Sequence, residues 1–179
     1  MAQIQLLSPA SSRHVKRRIR LKKMRPLFFL LAVLVLAGLL LVSSLWIRII
    51  PVYGSGMSPT LDAGSLTLVV KAPGYSRGDV IAFPSGGTTL IRRIIALPGD
   101  TVSIDNKGQV TVNGTPLQEP YLDGLSLGQC DISFPFRVPE DQYFVLGDSR
   151  DEALDSRSSV VGCVSGGEIL GRVLIPDTN

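Results

Sequence analysis

The sequence predicts a mainly β protein, in which one N-terminal transmembrane helix is followed by an antiparallel, β-rich domain outside the cytoplasm. Three observations support this fold class. An uncharged, apolar run of 21 residues covers positions 27–47, and a cluster of basic residues precedes it. After this run the sequence breaks into short β-branched segments bounded by Gly and Pro, without a long amphipathic helical pattern. We therefore divide the chain into a basic cytoplasmic tail (1–26), a transmembrane helix (27–47) and an extracytoplasmic β-domain (48–179).

The apolar run has the length of a membrane span. As an α-helix it would extend about 31 Å, which matches the roughly 30 Å hydrocarbon core of a bilayer. Trp46 stands near its end, where an aromatic side chain suits the outer interface. A cleaved secretory signal is the alternative, but its apolar region usually has about 7–15 residues. The run therefore favours a permanent anchor.

The charge distribution sets the orientation of this anchor. Eight of the 18 Lys and Arg residues lie within the first 25 positions, where no acidic residue occurs. The remaining ten share the rest of the chain with all 15 acidic residues, which gives that part a net charge of −5. The positive-inside rule places the N-terminus in the cytoplasm. We predict that the helix spans a plasma or thylakoid-type membrane. We interpret the basic tail as a topology signal that contacts anionic lipid, so the predicted partner is the bilayer and not nucleic acid.

Short apolar or β-branched runs predict seven strands in the outer domain. These runs cover 66–71, 80–83, 90–96, 101–104, 109–112, 143–146 and 172–175. The sequence Asp-Asn-Lys-Gly at 105–108 predicts a hairpin turn between two of them. Residues 123–137 are rich in turn-forming residues and predict an irregular surface excursion.

The chain has two cysteines, Cys130 and Cys163, and both lie in the domain that we place outside the cytoplasm. An exported compartment permits a disulfide, so a bridge between them is weakly favoured over two free thiols. Two cysteines without a CxxC spacing do not form a metal-binding pattern. We accordingly predict no metal and no cofactor.

Four segments of the chain, in this order, resemble the motifs of the type I signal peptidases. They read G-S-G-M-S-P-T-L at 54–61, R-G-D-V-I-A-F at 77–83, I-R-R-I-I-A-L-P-G-D at 91–100, and G-D-S-R-D-E-A-L-D-S-R at 147–157. The resemblance implies a signal-peptidase-type β-domain behind the anchor. It also implies a serine endopeptidase family that removes signal peptides after a small-x-small sequence, with a serine nucleophile and a lysine general base.

The resemblance places the three reacting positions of the family on residues without the required chemistry. The nucleophile position is Gly56, the base position is Arg92, and the position of the serine that orients the lysine is Ala153. A glycine has no hydroxyl, and a guanidinium stays protonated and cannot accept a proton. The implied protein is a pseudoenzyme in which the Ser/Lys dyad is lost.

The framework positions of the same motifs are retained, which favours a preserved fold with lost chemistry over general decay. By resemblance, a peptide groove would be formed by Gly54, Ser55, Met57, Leu61, Leu90 and Ile91. A structural ion-pair network would be formed by Arg93, Asp148, Asp155 and Arg157. Main-chain pairing along such a groove does not need the nucleophile.

Three functions remain open at this point. The first is a non-cutting homologue that binds signal peptides or other extended peptides. The second is an active signal peptidase with a non-standard dyad, for which Ser55, Ser58 and Lys71 are the candidate residues. In eukaryotic and archaeal-type members of the family a histidine replaces the lysine. The histidine of this chain, His14, lies in the predicted cytoplasmic tail and cannot take that role. The third is a structural subunit of a membrane complex, beside an active paralogue.

Overall fold

The computed structural model describes residue 26, residues 28–39 and residues 46–175. The chain divides into two units, Met1–Leu45 and Trp46–Asn179. In the first unit, residues 28–39 are helical. Among the described residues, no helix has both the length and the apolar character that crossing a bilayer requires. The predicted basic tail up to residue 25, and residues 27 and 40–45 of the predicted span, lie outside the described part of the chain.

The described part of the second unit, residues 46–175, contains eleven strands. They are β1 (Ile47–Pro51), β2 (Leu66–Val70), β3 (Val80–Ser85), β4 (Thr88–Ala96), β5 (Thr101–Ile104), β6 (Val110–Val112), β7 (Thr115–Pro116), β8 (Phe136–Arg137), β9 (Gln142–Leu146), β10 (Val164–Ser165) and β11 (Gly171–Leu174). One short 3₁₀ helix, Gly166–Glu168, precedes β11. The last residue of the predicted span, Ile47, is thus the first residue of a strand.

The strands form two antiparallel sheets. The larger sheet has seven strands in the order β1-β2-β11-β3-β4-β9-β10, and the smaller has four in the order β7-β6-β5-β8. All nine strand pairs are antiparallel. The mainly antiparallel β fold predicted for the outer domain is confirmed.

The long strand β4 positions the site, because it is buried along most of its length. Residues 91–96 are all buried, and the apolar ones pack on both faces of the sheet. Ile91 belongs to a core cluster with Val52, Met57 and Val69, whereas Ile94 packs on the other face with Ile81. Such a two-sided apolar run is read from sequence as a buried strand. The two arginines at 92 and 93 are therefore carried into the interior by their strand.

Hydrogen bonds within a tight turn fix the hairpin between β5 and β6 in the smaller sheet. The carboxylate of Asp105 accepts hydrogen bonds from the backbone N–H groups of Lys107 and Gln109, both at 2.9 Å. Gly108 has φ +87°, a region that L side chains rarely adopt. The hairpin predicted at 105–108 is present between β5 and β6. The predicted excursion at 123–137 is irregular until β8 begins at Phe136.

Candidate active site

Gly56 is a buried residue of the loop that follows β1, and it is held against the loop after β9. The carbonyl of Gly56 accepts a hydrogen bond of 3.1 Å from the backbone N–H of Ser149. A Cβ at Gly147 would lie 2.4 Å from that same carbonyl oxygen, so only glycine permits this approach. The first and fourth sequence motifs are therefore locked together at position 56.

The guanidinium of Arg92 lies where a side chain at position 56 would project. A Cβ built on Gly56 would lie 3.1 Å from Nη2 of Arg92 and 3.2 Å from both Cζ and Nη1. Arg92 is only 5% exposed. The structure thus brings together Gly56 and Arg92, the residues at the family's nucleophile and base positions. The charged guanidinium of Arg92 occupies the space next to Gly56.

The contacts of Arg92 are to main-chain carbonyls. Its Nε donates to the carbonyl of Leu154 at 2.9 Å, and its Nη1 donates to the carbonyl of Ile91 at 2.5 Å. Within the described part of the chain, no carboxylate forms an ion pair with it. Burial lowers the pKa of Arg92, and the charges of Asp155 and Asp148 oppose this shift from a distance. An arginine nevertheless remains protonated in proteins, so this residue is a buried cation and not a base.

Ala153 occupies the third of these positions, which the resemblance assigns to the serine that orients the lysine. It is buried in the loop after β9, and a Cβ at Gly147 would lie 2.2 Å from its methyl carbon. Gly147 therefore touches both Ala153 and the Gly56 carbonyl, and Arg92 lies against Gly56, so the three predicted positions are neighbours in the structure. Ala153 offers a methyl group where the family resemblance implies a hydroxyl.

Two buried ion pairs adjoin Gly147 and Ala153. Arg93 donates from Nε to Oδ1 of Asp148 at 2.8 Å and from Nη2 to Oδ2 at 2.5 Å. Burial opposes the charge of Arg93, but the hydrogen bonds and the charge of Asp148 raise its pKa overall. Arg157 binds both oxygens of Asp155, at 2.9 and 2.7 Å. Bidentate pairing of this kind satisfies both charges inside the protein.

A third buried pair was missed from the sequence. Arg150 forms an ion pair with Glu119, and the two side chains are 1% and 2% exposed. The hydroxyl of Tyr121 also donates to Glu119, at 2.7 Å, while its ring lies 3.9 Å from the Arg93 guanidinium carbon. Burial, with the nearby Glu119 charge, raises the pKa of Tyr121. Glu119 is 31 residues from Arg150 in sequence, and no local pattern marks a partner at that distance.

The residues assigned to the peptide groove separate into two groups. Met57, Leu61 and Ile91 are buried in one apolar cluster, and Leu90 packs against the cluster on the opposite face of β4. Gly54 is exposed, and half-buried Ser55 donates its hydroxyl to Glu152. Leu61 also lines a surface groove of about 580 Å³. Three of the four apolar residues assigned to the peptide groove are therefore buried in the core, and Leu90 is half-buried.

The two cysteines are free thiols in the structure, so the bridge that the sequence permits is not formed. Half-buried Cys130 lines a cavity of about 360 Å³ together with Ala153 and Leu154. Cys163 packs against the apolar core, and burial raises its pKa to about 11. Of the residues considered as substitutes, Lys71 is exposed and half-buried Ser58 donates its backbone N–H to the Ser55 carbonyl.

The fold and the motif positions agree with one class of protein. The family model described as "Signal peptidase, peptidase S26" matches residues 23–176, and the chain belongs to this family.

Particular relatives make the similarity concrete. Signal peptidase I U of Bacillus subtilis (strain 168) is 33% identical over 173 residues, which cover 87% of this chain and 90% of that protein. Signal peptidase I S of the same organism is 36% identical over 120 residues, or 60% of this chain and 64% of that protein. A crystal structure of a signal peptidase I from Enterococcus faecalis V583 is 31% identical, with a TM-score of 0.48, over 58% of this chain and 100% of that one.

Proposed function

We propose that this chain is a membrane-anchored signal peptidase homologue that binds extended peptide strands and has lost Ser/Lys proteolysis. One observation carries the proposal. The guanidinium of Arg92 stands against Gly56, at the point where the family requires a serine hydroxyl and a neutral lysine. Neither residue can attack a carbonyl or accept the proton of an attacking group. Removal of a nucleophile typically lowers turnover by about 10⁶-fold.

The pairing pattern of β4 supports peptide binding. Residues 88–92 of β4 pair with β3 on one side, whereas the pairing of β4 with β9 begins only at Arg93. Among the described strands, none pairs with the other edge of residues 88–92. A free strand edge is the feature to which an extended peptide adds by main-chain hydrogen bonds. At the end of this edge the carbonyl of Ile91 accepts a hydrogen bond from the Arg92 guanidinium, which lies beside Gly56.

Exposed apolar side chains support the proposed membrane location. Ile49 of β1, Leu68 of β2 and Leu174 of β11 stand in one cross-strand row and are all exposed. Trp46, just before β1, and Leu66, the first residue of β2, are also exposed. An apolar patch of this kind, close in sequence to a predicted anchor, suits contact with a lipid surface.

Cleavage of a preprotein by the purified full-length protein in detergent tests the loss of proteolysis. Two restored variants belong beside the wild type: Gly56→Ser with Arg92→Lys, and the same pair with Ala153→Ser. Both changes are needed together, because a serine at position 56 would crowd the arginine. We expect no turnover by the wild type and turnover by a restored variant. Activity of the wild type would refute the proposal, and inactivity of all three would favour a structural subunit of a membrane complex.

A second candidate, an active peptidase with a non-standard dyad, rests on one contact. The Ser55 hydroxyl donates to the carboxylate of Glu152, and a carboxylate is able to act as a general base towards a hydroxyl. In this case wild-type turnover would be present and would be abolished by Ser55→Ala and by Glu152→Gln. Turnover that persists in both variants would exclude this pair.

A further inference from the structure

Four arginines are buried in the described part of the chain, and one of them differs from the rest. Arg92, Arg93, Arg150 and Arg157 are 5%, 8%, 3% and 1% exposed. Three of them form an ion pair with a buried carboxylate. Arg92 is satisfied only by main-chain carbonyls, on its Nε and Nη1. A buried charge without a counter-charge is costly, so an anion that reaches this guanidinium would be strongly favoured.

The nearby carboxylates are already engaged. Asp148 binds Arg93, and Asp155 binds Arg157. Glu152 accepts the hydroxyl of Ser55, next to Gly56 in sequence. Asp148 and Asp155 are thus each paired with another arginine and compensate the charge of Arg92 only in part, and among the described residues Arg92 has no carboxylate of its own. Burial also lowers the pKa of Arg92, which is the direction expected for a cation whose charge is under-compensated.

The position of this charge identifies the ligand. Arg92 is the last residue before β4 begins to pair with β9, and its guanidinium lies 3.1–3.2 Å from the position of a Cβ on Gly56, the residue at the family's nucleophile position. A peptide that lies along this edge and ends there places a carboxylate at that point, whereas a peptide that continues places a neutral amide there. Carboxylates pair with guanidinium groups by charge-assisted hydrogen bonds, which are stronger than those of amides.

We propose that Arg92 binds the free C-terminal carboxylate of an extended peptide, so that the site recognises ends of cleaved chains and discriminates against intact ones. This inference rests on the proposed peptide-binding function and specifies its ligand class. The space that Gly56 leaves for the guanidinium is the structural condition for the site. The site thus binds the class of product that a signal peptidase would release.

Binding of labelled peptides to the full-length protein in detergent tests this inference. Three peptides share one small-x-small sequence: the first ends there as a free acid, the second ends there as an amide, and the third continues for six further residues. Fluorescence anisotropy gives the dissociation constants. We expect the acid to bind roughly 10- to 100-fold more tightly than the amide or the continued peptide, as one charge-assisted contact predicts.

Two variants assign this preference to one side chain. Arg92→Gln should remove the preference, because it should weaken the binding of the free-acid peptide and leave the binding of the other two peptides unchanged. Circular dichroism shows whether the variant is folded. Arg137→Gln is the matched control, since Arg137 is exposed on β8 in the smaller sheet and should keep the wild-type ratio. A preference that survives Arg92→Gln in a folded protein would overturn the assignment.

The outcomes separate this inference from the function on which it rests. Equal binding of the acid and the amide by the wild type would refute the carboxylate site and leave peptide binding in place. Failure of all three peptides to bind would refute both. The wild-type comparison decides whether the protein prefers a free carboxylate even when Arg92→Gln does not fold.

Discussion

At the scale of the residue, the site depends on the fit between a glycine and an arginine. The sequence motifs identify both positions, and each residue alone lacks the side chain that the proposed loss of Ser/Lys proteolysis concerns. Their physical dependence on each other is visible only in three dimensions, because the two positions are 36 residues apart and meet through the side chain of Arg92. The resemblance therefore identified the two positions, and it could not predict that the guanidinium of Arg92 would occupy the space beside Gly56.

Gly56→Ala should destabilise the full-length protein by about 1 kcal/mol, because the new methyl would meet a guanidinium held in place by two hydrogen bonds. Adding Arg92→Lys, which removes the branched end of the side chain, should reduce this cost. Urea denaturation of the two single variants and the double variant gives the coupling energy. Gly74→Ala is the control, since its Cβ would meet nothing within 4 Å. Additive effects would show that residues 56 and 92 do not compete for space.

At the scale of the element, the irregular segment between β7 and β8 is fixed by charge and not by a strand ladder. Glu119 pairs with Arg150, and the backbone carbonyl of Leu127 accepts a bond of 2.6 Å from Arg157. Ser126 binds Asp151 through its hydroxyl. The sequence predicted the irregularity of this region from its turn residues. It could not predict these anchors, because they join segments that share no periodicity.

Glu119→Ala should destabilise the protein by about 3–5 kcal/mol, because it leaves Arg150 buried without a counter-charge. Thermal or urea unfolding of the full-length protein in detergent measures the effect. Glu140→Ala is a matched control, since Glu140 is exposed and forms no ion pair among the described residues. Equal stability of the two variants would mean that the Glu119–Arg150 pair contributes nothing.

At the scale of the whole molecule, the two sheets share a core that responds to pH through Cys163. Burial raises the pKa of this thiol to about 11, whereas an unfolded cysteine titrates near about 8.5. The native state therefore holds the proton more tightly. Its contribution to stability is fully present below about pH 8.5 and is lost as the pH rises towards 11.

The stability of the wild type should consequently fall more steeply between about pH 8.5 and 11 than that of Cys163→Ala. Urea denaturation at several pH values measures the difference. Labelling with iodoacetamide at pH 8, followed by mass spectrometry, should modify half-buried Cys130 and spare Cys163 in the native protein. Parallel pH profiles would contradict the assigned shift. Protection of both thiols, reversed by a reductant, would instead reveal the bridge that the sequence permits.

The fold of the whole chain was more accessible from sequence than the partners of its charged residues. Alternating and continuous apolar runs predicted the long strands other than β1, since burial of a sheet face imposes a pattern on successive residues. Strands of two residues, such as β8 and β10, carry no such pattern and were missed. Arg92 was identified by motif, yet its lack of a carboxylate partner depends on how Asp148 and Asp155 are shared with other arginines.

The fit of Arg92 against Gly56 also limits how this protein can change. A serine introduced at position 56 alone meets the arginine and finds no base. A lysine introduced at position 92 alone finds no hydroxyl to activate. Neither single step completes a Ser/Lys pair, so selection for cleavage has nothing to act on until both have occurred. In a chain with this geometry, a Ser/Lys pair requires two linked substitutions at positions 56 and 92.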